Sequence, residues 1–183
     1  AVLVCSAGIF AASMTSQANR RYFIDSVRYW VGHDTKIVVD NDRTNEKECE
    51  DEQKAIDDIE KELSVDIPRF LYRPEGLEFE DYNISKDFEY ALLQYDYNDT
   101  IMTLYINKYD KETKSTGASL DGKEIETIKL PEGEASIQVK RIMAKGDKKA
   151  SYVAYWNNST EFYQIESQME EKEFIKLIKN IKF

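Results

Sequence analysis

The stretch that most restricts this chain's fold runs from residue 151 to residue 183, SYVAYWNNSTEFYQIESQMEEKEFIKLIKNIKF. Residues 152–156 are β-branched and aromatic, Asn157-Asn158 tolerates the positive φ of a tight hairpin turn, and residues 161–166 form the return strand. Ser167-Gln168-Met169-Glu170 fits a capping box, with the Ser167 hydroxyl facing the Glu170 amide and the Glu170 carboxylate reaching back. Phe174, Ile175, Leu177, Ile178 and Ile181 recur at helical spacing and make one apolar face. Acidic Glu170, Glu171 and Glu173 crowd the positive end of that helix dipole, and Lys176 and Lys179 the negative end. Such a segment folds as a hairpin with a helix laid across it.

The strands upstream repeat the pattern. Residues 77–84 alternate, and residues 88–97 face residues 101–109 across a turn at Asn98-Asp99. Asp121-Gly122 and Pro131-Glu132-Gly133-Glu134 are turn signals on either side of a strand at 124–130. Ala135, Ile137, Val139 and Met143 mark the core face of the next, and Gly146-Asp147 turns the chain into the C-terminal hairpin. Before the strands, residues 46–63 read as a helix with Cys49, Ile56, Ile59 and Leu63 on one face and an N-cap from Asn45 with Glu48. Its many acids make a solvated surface. Residues 67–74 are extended and braced by Pro68 and Pro74. The expectation is an α+β domain, a curved antiparallel sheet packed by helices.

The N-terminus has another character. Residues 1–14, AVLVCSAGIFAASM, carry no charge. A membrane span needs about 20 apolar residues, so this segment reads as the end of a truncated transmembrane anchor. A signal peptide, with Ala11-Ala12-Ser13 as a cleavage-like site, and a buried core helix are the competing readings. Arg20 and Arg21 just beyond it weigh mildly against an outside location. Residues 15–31 make an amphipathic helix through Phe23, Val27, Trp30 and Val31, and a polar connector follows. The expected organisation is a truncated transmembrane segment at 1–14, a helix and connector at 15–43, and the α+β domain at 44–183.

Charge and composition exclude several functions. Acidic residues number 35 against 25 basic ones, for a net charge of −10, and no run of Lys or Arg exceeds a pair. That balance opposes nucleic acid and anionic surfaces. One histidine, His33, and two cysteines, Cys5 and Cys49, build neither a multi-histidine metal site nor a zinc site of two cysteines and two histidines. Asp40, Asp42, Thr44 and Asp51 superficially trace a calcium loop, but Asn45 stands where that loop needs glycine. His33-Asp34 is an acid–base pair only on paper, because no nucleophile signature accompanies it. Glu78, Glu80 and Asp81 could supply the paired carboxylates of sugar hydrolysis, but alternation makes Glu78 and Glu80 the outward face of a strand. The sequons at Asn83, Asn98, Asn157 and Asn158 carry no function here. What remains is aromatic. Tyr90, Tyr95, Tyr97, Tyr105 and Tyr109 lie on adjacent strands, where cross-strand packing is their plainest role and a ligand platform the functional one. Tyr105 and Tyr109 share a face and are the expected binding residues, with no catalytic, metal or cofactor-binding residue beside them.

Several of these features together resemble the domain of unknown function 4367. The resemblance rests on the helix before Ile67-Pro68, the Pro74-Glu75-Gly76-Leu77 lead-in to the sheet, the hairpin with Trp156 and Tyr163, and the closing Glu173-Phe174-Ile175-Lys176-Leu177-Ile178-Lys179-Asn180-Ile181. It spans roughly residues 46–183. It implies an extracytoplasmic domain of a single-pass membrane protein of Gram-positive bacteria, and it implies no catalytic residues. The expected function is therefore binding of a protein or cell-envelope ligand, or signal sensing, at the cell membrane, without enzymatic activity and without nucleic acid. The Trp156 strand and the closing helix are also similar to lipoprotein-carrier-like half-barrels, which implies carriage of a lipid or other apolar ligand as the alternative.

Overall fold

The computed structural model describes residues 45–108, 122–130, 136–143 and 146–183. Helix α1 spans Asn45–Leu63 and α2 Glu171–Lys179. The strands are β1 (Arg69–Phe70), β2 (Leu77–Ser85), β3 (Tyr90–Tyr97), β4 (Thr100–Lys108), β5 (Lys123–Lys129), β6 (Ser136–Ile142), β7 (Ser151–Asn157), β8 (Glu161–Ser167) and β9 (Ile181–Lys182). Strands β2 to β8 form an open seven-stranded sheet in the order β2-β3-β4-β8-β7-β6-β5. Every neighbouring pair is antiparallel. The fold is α+β.

Alternation along the strands separates two faces. Leu93, Tyr95, Met102, Leu104, Ile106, Ile137, Val139, Ala154, Tyr163 and Ile165 share one core with Ile56, Ile59 and Leu63 of α1 and Phe174, Leu177 and Ile178 of α2. Both helices therefore cover the same side of the sheet. This inner side is where the fold gains most from burial, at roughly 1.5–3 kcal/mol for each large apolar side chain taken from water. Tyr163 and Trp156 stack across the β7–β8 hairpin with centroids 5.0 Å apart, and Tyr152 lies 5.9 Å from Phe174 of the helix above.

The turns differ in chemistry from their sequence reading. Asn98-Asp99 is the two-residue turn expected, with Tyr97 paired to Thr100 and Asn98 at φ 50°. At Asn157-Asn158 positive φ was expected, but neither residue adopts it. Instead the Asn158 side-chain oxygen accepts from the backbone N–H groups of Thr160 and Glu161, at 2.9 and 2.7 Å. The Asn158 amide itself donates to the Glu161 carbonyl at 3.0 Å. A side-chain turn has replaced a backbone one.

The capping box is also corrected. The N-cap of α2 is Glu170, which makes no side-chain cap. Ser167 lies in β8, and its hydroxyl accepts from the Met169 N–H at 3.2 Å. The strand holds Ser167 too early to reach the helix. Ile181, read as part of the helical face, has left the helix. It pairs with Phe70 in the β1–β9 ribbon, and Asn180 closes α2 by donating to the Leu177 carbonyl.

Strand β2 alternates only in two halves. A bulge between Phe79 and Asp81 puts Leu77 and Phe79 opposite Tyr97 and Tyr95, then shifts parity so that Tyr82 and Ile84 face Leu93 and Ala91. The bulge leaves Glu80 exposed and outside the pairing.

The N-cap assigned to Asn45 with Glu48 and the Cys49 side chain lie outside the described side chains. Residues 1–44, with the apolar segment, the amphipathic helix, His33-Asp34 and the start of the calcium-like loop, lie outside the described residues. Among the described residues no helix is long and apolar enough to cross a membrane.

Candidate binding face

Polar side chains of α1 are not all solvated. Glu52 is 5% exposed. Its carboxylate accepts from the Tyr95 hydroxyl at 2.8 Å and pairs with the Arg73 guanidinium. Tyr82 donates to Asp58 at 2.8 Å, Tyr72 to Glu173, and Tyr152 to Glu171 at 3.3 Å. Both helices are thus tied to the sheet by tyrosine–carboxylate bonds laid over apolar packing. These contacts are architectural: they join elements whose inner surfaces are already filled.

The other face of the sheet carries a different set of side chains. The ladder registers place Ser85, Tyr90, Asn107, Phe162 and Asn157 side by side across five strands. The adjoining row is Asn83, Leu92, Tyr105, Gln164, Tyr155, Gln138 and Thr127, spanning all seven strands. Neither row holds a formal charge, although 33% of the chain is charged. Charge returns in the third row, which includes Asp81, Glu166 and Lys140.

Exposure varies along this face. Thr103, Gln164, Glu166 and Val153 are buried near its centre. Tyr90, Asn107, Phe162, Tyr155 and Gln138 are half-buried, and Asn157 is open. Phe88, at the β2–β3 turn, is 56% exposed. Asn107 fixes that turn by donating to the carbonyls of Phe88 and Glu89, both at 3.2 Å.

Of the two residues expected to bind, the structure describes one. Tyr105 lies on this face as alternation required, but it is only 5% exposed. Its ring is 5.8 Å from that of Tyr90 and 6.4 Å from that of Phe162. Leu92 completes the cluster. Tyr109 lies outside the described residues. Tyr95, grouped with these tyrosines in the sequence, points the opposite way into the core. Sequence reasoning passed over Phe162, Tyr155 and the carboxamides between them. Their alternation along β7 and β8 was the available signal, obscured because both faces of those strands bear aromatic rings.

Burial raises the pKa of Tyr90. Burial, and then the neighbouring Tyr90, do the same for Tyr105. Both hydroxyls therefore stay protonated at neutral pH, as donors and acceptors rather than bases. Rings framed by carboxamides can stack against a flat surface and exchange hydrogen bonds with it. Glu78 and Asp81 are half-buried and Glu80 exposed, all on an edge strand of the sheet. Among the described residues no three His, Cys, Asp or Glu side chains stand together as a metal site would require.

No curated protein and no solved structure matches this chain. A family model described as "Domain of unknown function (DUF4367)" matches residues 67–181, from the extended segment before β1 to the first residue of β9. The chain belongs to the DUF4367 family.

Proposed function

We propose that this is the extracytoplasmic binding or sensing domain of a single-pass membrane protein, tethered through residues 1–14 and without chemistry of its own. The observation that carries this reading is the half-buried strip of aromatic rings and carboxamides on the face turned away from the helices. Ring-bearing, uncharged surface in a chain of net charge −10 suits contact better than solvation. Tyr90 and Tyr105 are held protonated, which suits recognition and removes them as bases. The apolar segment at 1–14 supports the tether, and the family resemblance supports the side of the membrane.

The competing reading, carriage of an apolar ligand between sheet and helices, has less support. Tyr95, Tyr163 and Phe174 occupy that space at 0–1% exposure.

The test is titration of the full chain in detergent with cell-wall fragments, lipid vesicles and candidate envelope proteins. Saturable binding that perturbs Tyr90 and Phe162 is expected, and Tyr105→Ala, which removes the ring between them, should weaken it. Turnover of a hydrolase substrate, lost on changing one carboxylate, would overturn the reading.

A further inference from the structure

The open part of the strip has a chemistry narrow enough to name its ligand class. We propose, building on the binding role above, that Tyr90, Asn107, Phe162, Asn157, Tyr155 and Gln138 form a platform for a neutral saccharide chain lying across the strands.

The case rests on what those side chains offer and what they lack. Tyr90, Asn107, Phe162 and Asn157 are directly opposed from β3 to β7. Tyr155 and Gln138 are opposed in the next row. Adjacent strands lie about 4.8 Å apart, so a linear molecule crossing them meets a ring, an amide, a ring and an amide in turn. None of the six is buried.

Each alternative class asks for something else. A phosphate or carboxylate ligand calls for Arg or Lys donors in the strip, and it has none. Among the described residues Lys140 borders it, with its ammonium 5.5 Å from the centre of the Tyr155 ring. A basic peptide would want carboxylates there, and these begin only in the third row. A lipid or an amphipathic helix wants continuous aliphatic surface, whereas a carboxamide interrupts every ring along the row.

A sugar fits what is present. Its C–H faces stack on Tyr and Phe rings. Its hydroxyls, each a donor and an acceptor, match the Asn107 carbonyl oxygen, whose amide group is held by the Phe88 and Glu89 carbonyls, and the carboxamides of Asn157 and Gln138. The absence of charge is then a selective feature. It leaves neutral polyols as the partners that lose least on leaving water for this surface.

The experiment uses the full chain in detergent with two uncharged probes, chitotetraose and cellotetraose, followed by calorimetry and amide NMR. Saturable binding is expected, with shifts confined to β3, β4, β6, β7 and β8. Phe162→Ala should weaken it by about tenfold, the size of one ring contact. Asn157→Asp, at an exposed position, should also weaken it. Leu71→Ala, on an exposed side chain away from the strip, should leave it unchanged. Because no charges meet, raising salt from about 0.05 to about 0.5 M should change the affinity by less than about twofold. Absence of sugar binding by the folded protein, or binding indifferent to both strip variants, overturns the saccharide assignment. If a lipid vesicle or an envelope protein still perturbs Tyr90 and Phe162, the binding face survives without the sugar. If nothing perturbs them, both readings fall.

Discussion

Glu52 shows how much one side chain decides in this fold. In sequence it is one acid among many on α1, yet it sits at 5% exposure between Tyr95 and Arg73. A carboxylate taken from water needs both partners, since an orphaned buried acceptor costs about 1–3 kcal/mol. Tyr95→Phe removes one donor without changing ring volume and should lower unfolding stability by that amount. A loss in urea unfolding below about 0.5 kcal/mol would show that water reaches Glu52. Tyr82 offers a second measurement. Burial, then its bond to Asp58 and the charges of Asp58 and Asp81, raise its hydroxyl to about 12. The unfolded value is about 10, so the folded chain holds the neutral form more tightly. Stability from this group is fully present below pH 10 and is lost as pH rises through about 12. Tyr82→Phe should therefore lose less of its stability than wild type as pH is raised through that window. Urea midpoints that fall in parallel for the two proteins would refute the assignment.

Element by element, the sheet depends on α2. Phe174, Leu177 and Ile178 are 0–1% exposed, and Ile175 beside them is half-buried. Phe174→Ala should destabilise by about 3–5 kcal/mol because the Tyr152 ring and the strands beneath cannot close the space. Ile175→Ala should cost clearly less, and equal losses would mean that the helix does not seat as described. That helix and the strands of the sheet were legible because period 3.6 and period 2 are imposed by burying one face, and burial is written in residue type. The β1–β9 ribbon was not. Its two-residue strands are too short to show a period, and its partners, Arg69–Phe70 and Ile181–Lys182, lie at opposite ends of the domain. The β2 bulge was illegible for a related reason, since one added residue exchanges the faces without changing composition. Caps failed at Ser167 because a strand, not a helix, claimed its backbone. On the candidate face, the side of β4 that Tyr105 occupies was legible from alternation and its burial was not. Thr103, Gln164 and Glu166 are polar, and residue type alone gives no sign of the burial that the tertiary structure imposes on them.

Taken whole, the described residues commit one face of the sheet to a core shared with both helices, and the packing of that core bears on the choice between module and carrier. Helix α1 lies upstream of the matched residues 67–181, yet Ala55, Ile56, Ile59 and Leu63 are buried in the same core as α2. With both helices seated, Trp156 stacks on Tyr163 and Phe183 packs edge-on against each, at 6.2 and 5.4 Å. A site for a drug-sized or acyl ligand takes roughly 300–1,000 Å³ of enclosed space. To open that volume here, the fold would have to withdraw aromatic side chains from well-packed positions, at about 3–5 kcal/mol for each one lost from the core. Long-chain fatty acids at tens of micromolar should therefore leave the melting temperature of the domain unmoved, because a ligand stabilises only in proportion to its occupancy of the native state. They should also leave the amides of α1 and α2 unshifted. A saturable rise in melting temperature accompanied by shifts in Phe174 and Leu177 would show that the helices part to admit an acyl chain. In that event the interior, and not the aromatic strip, would be the working site.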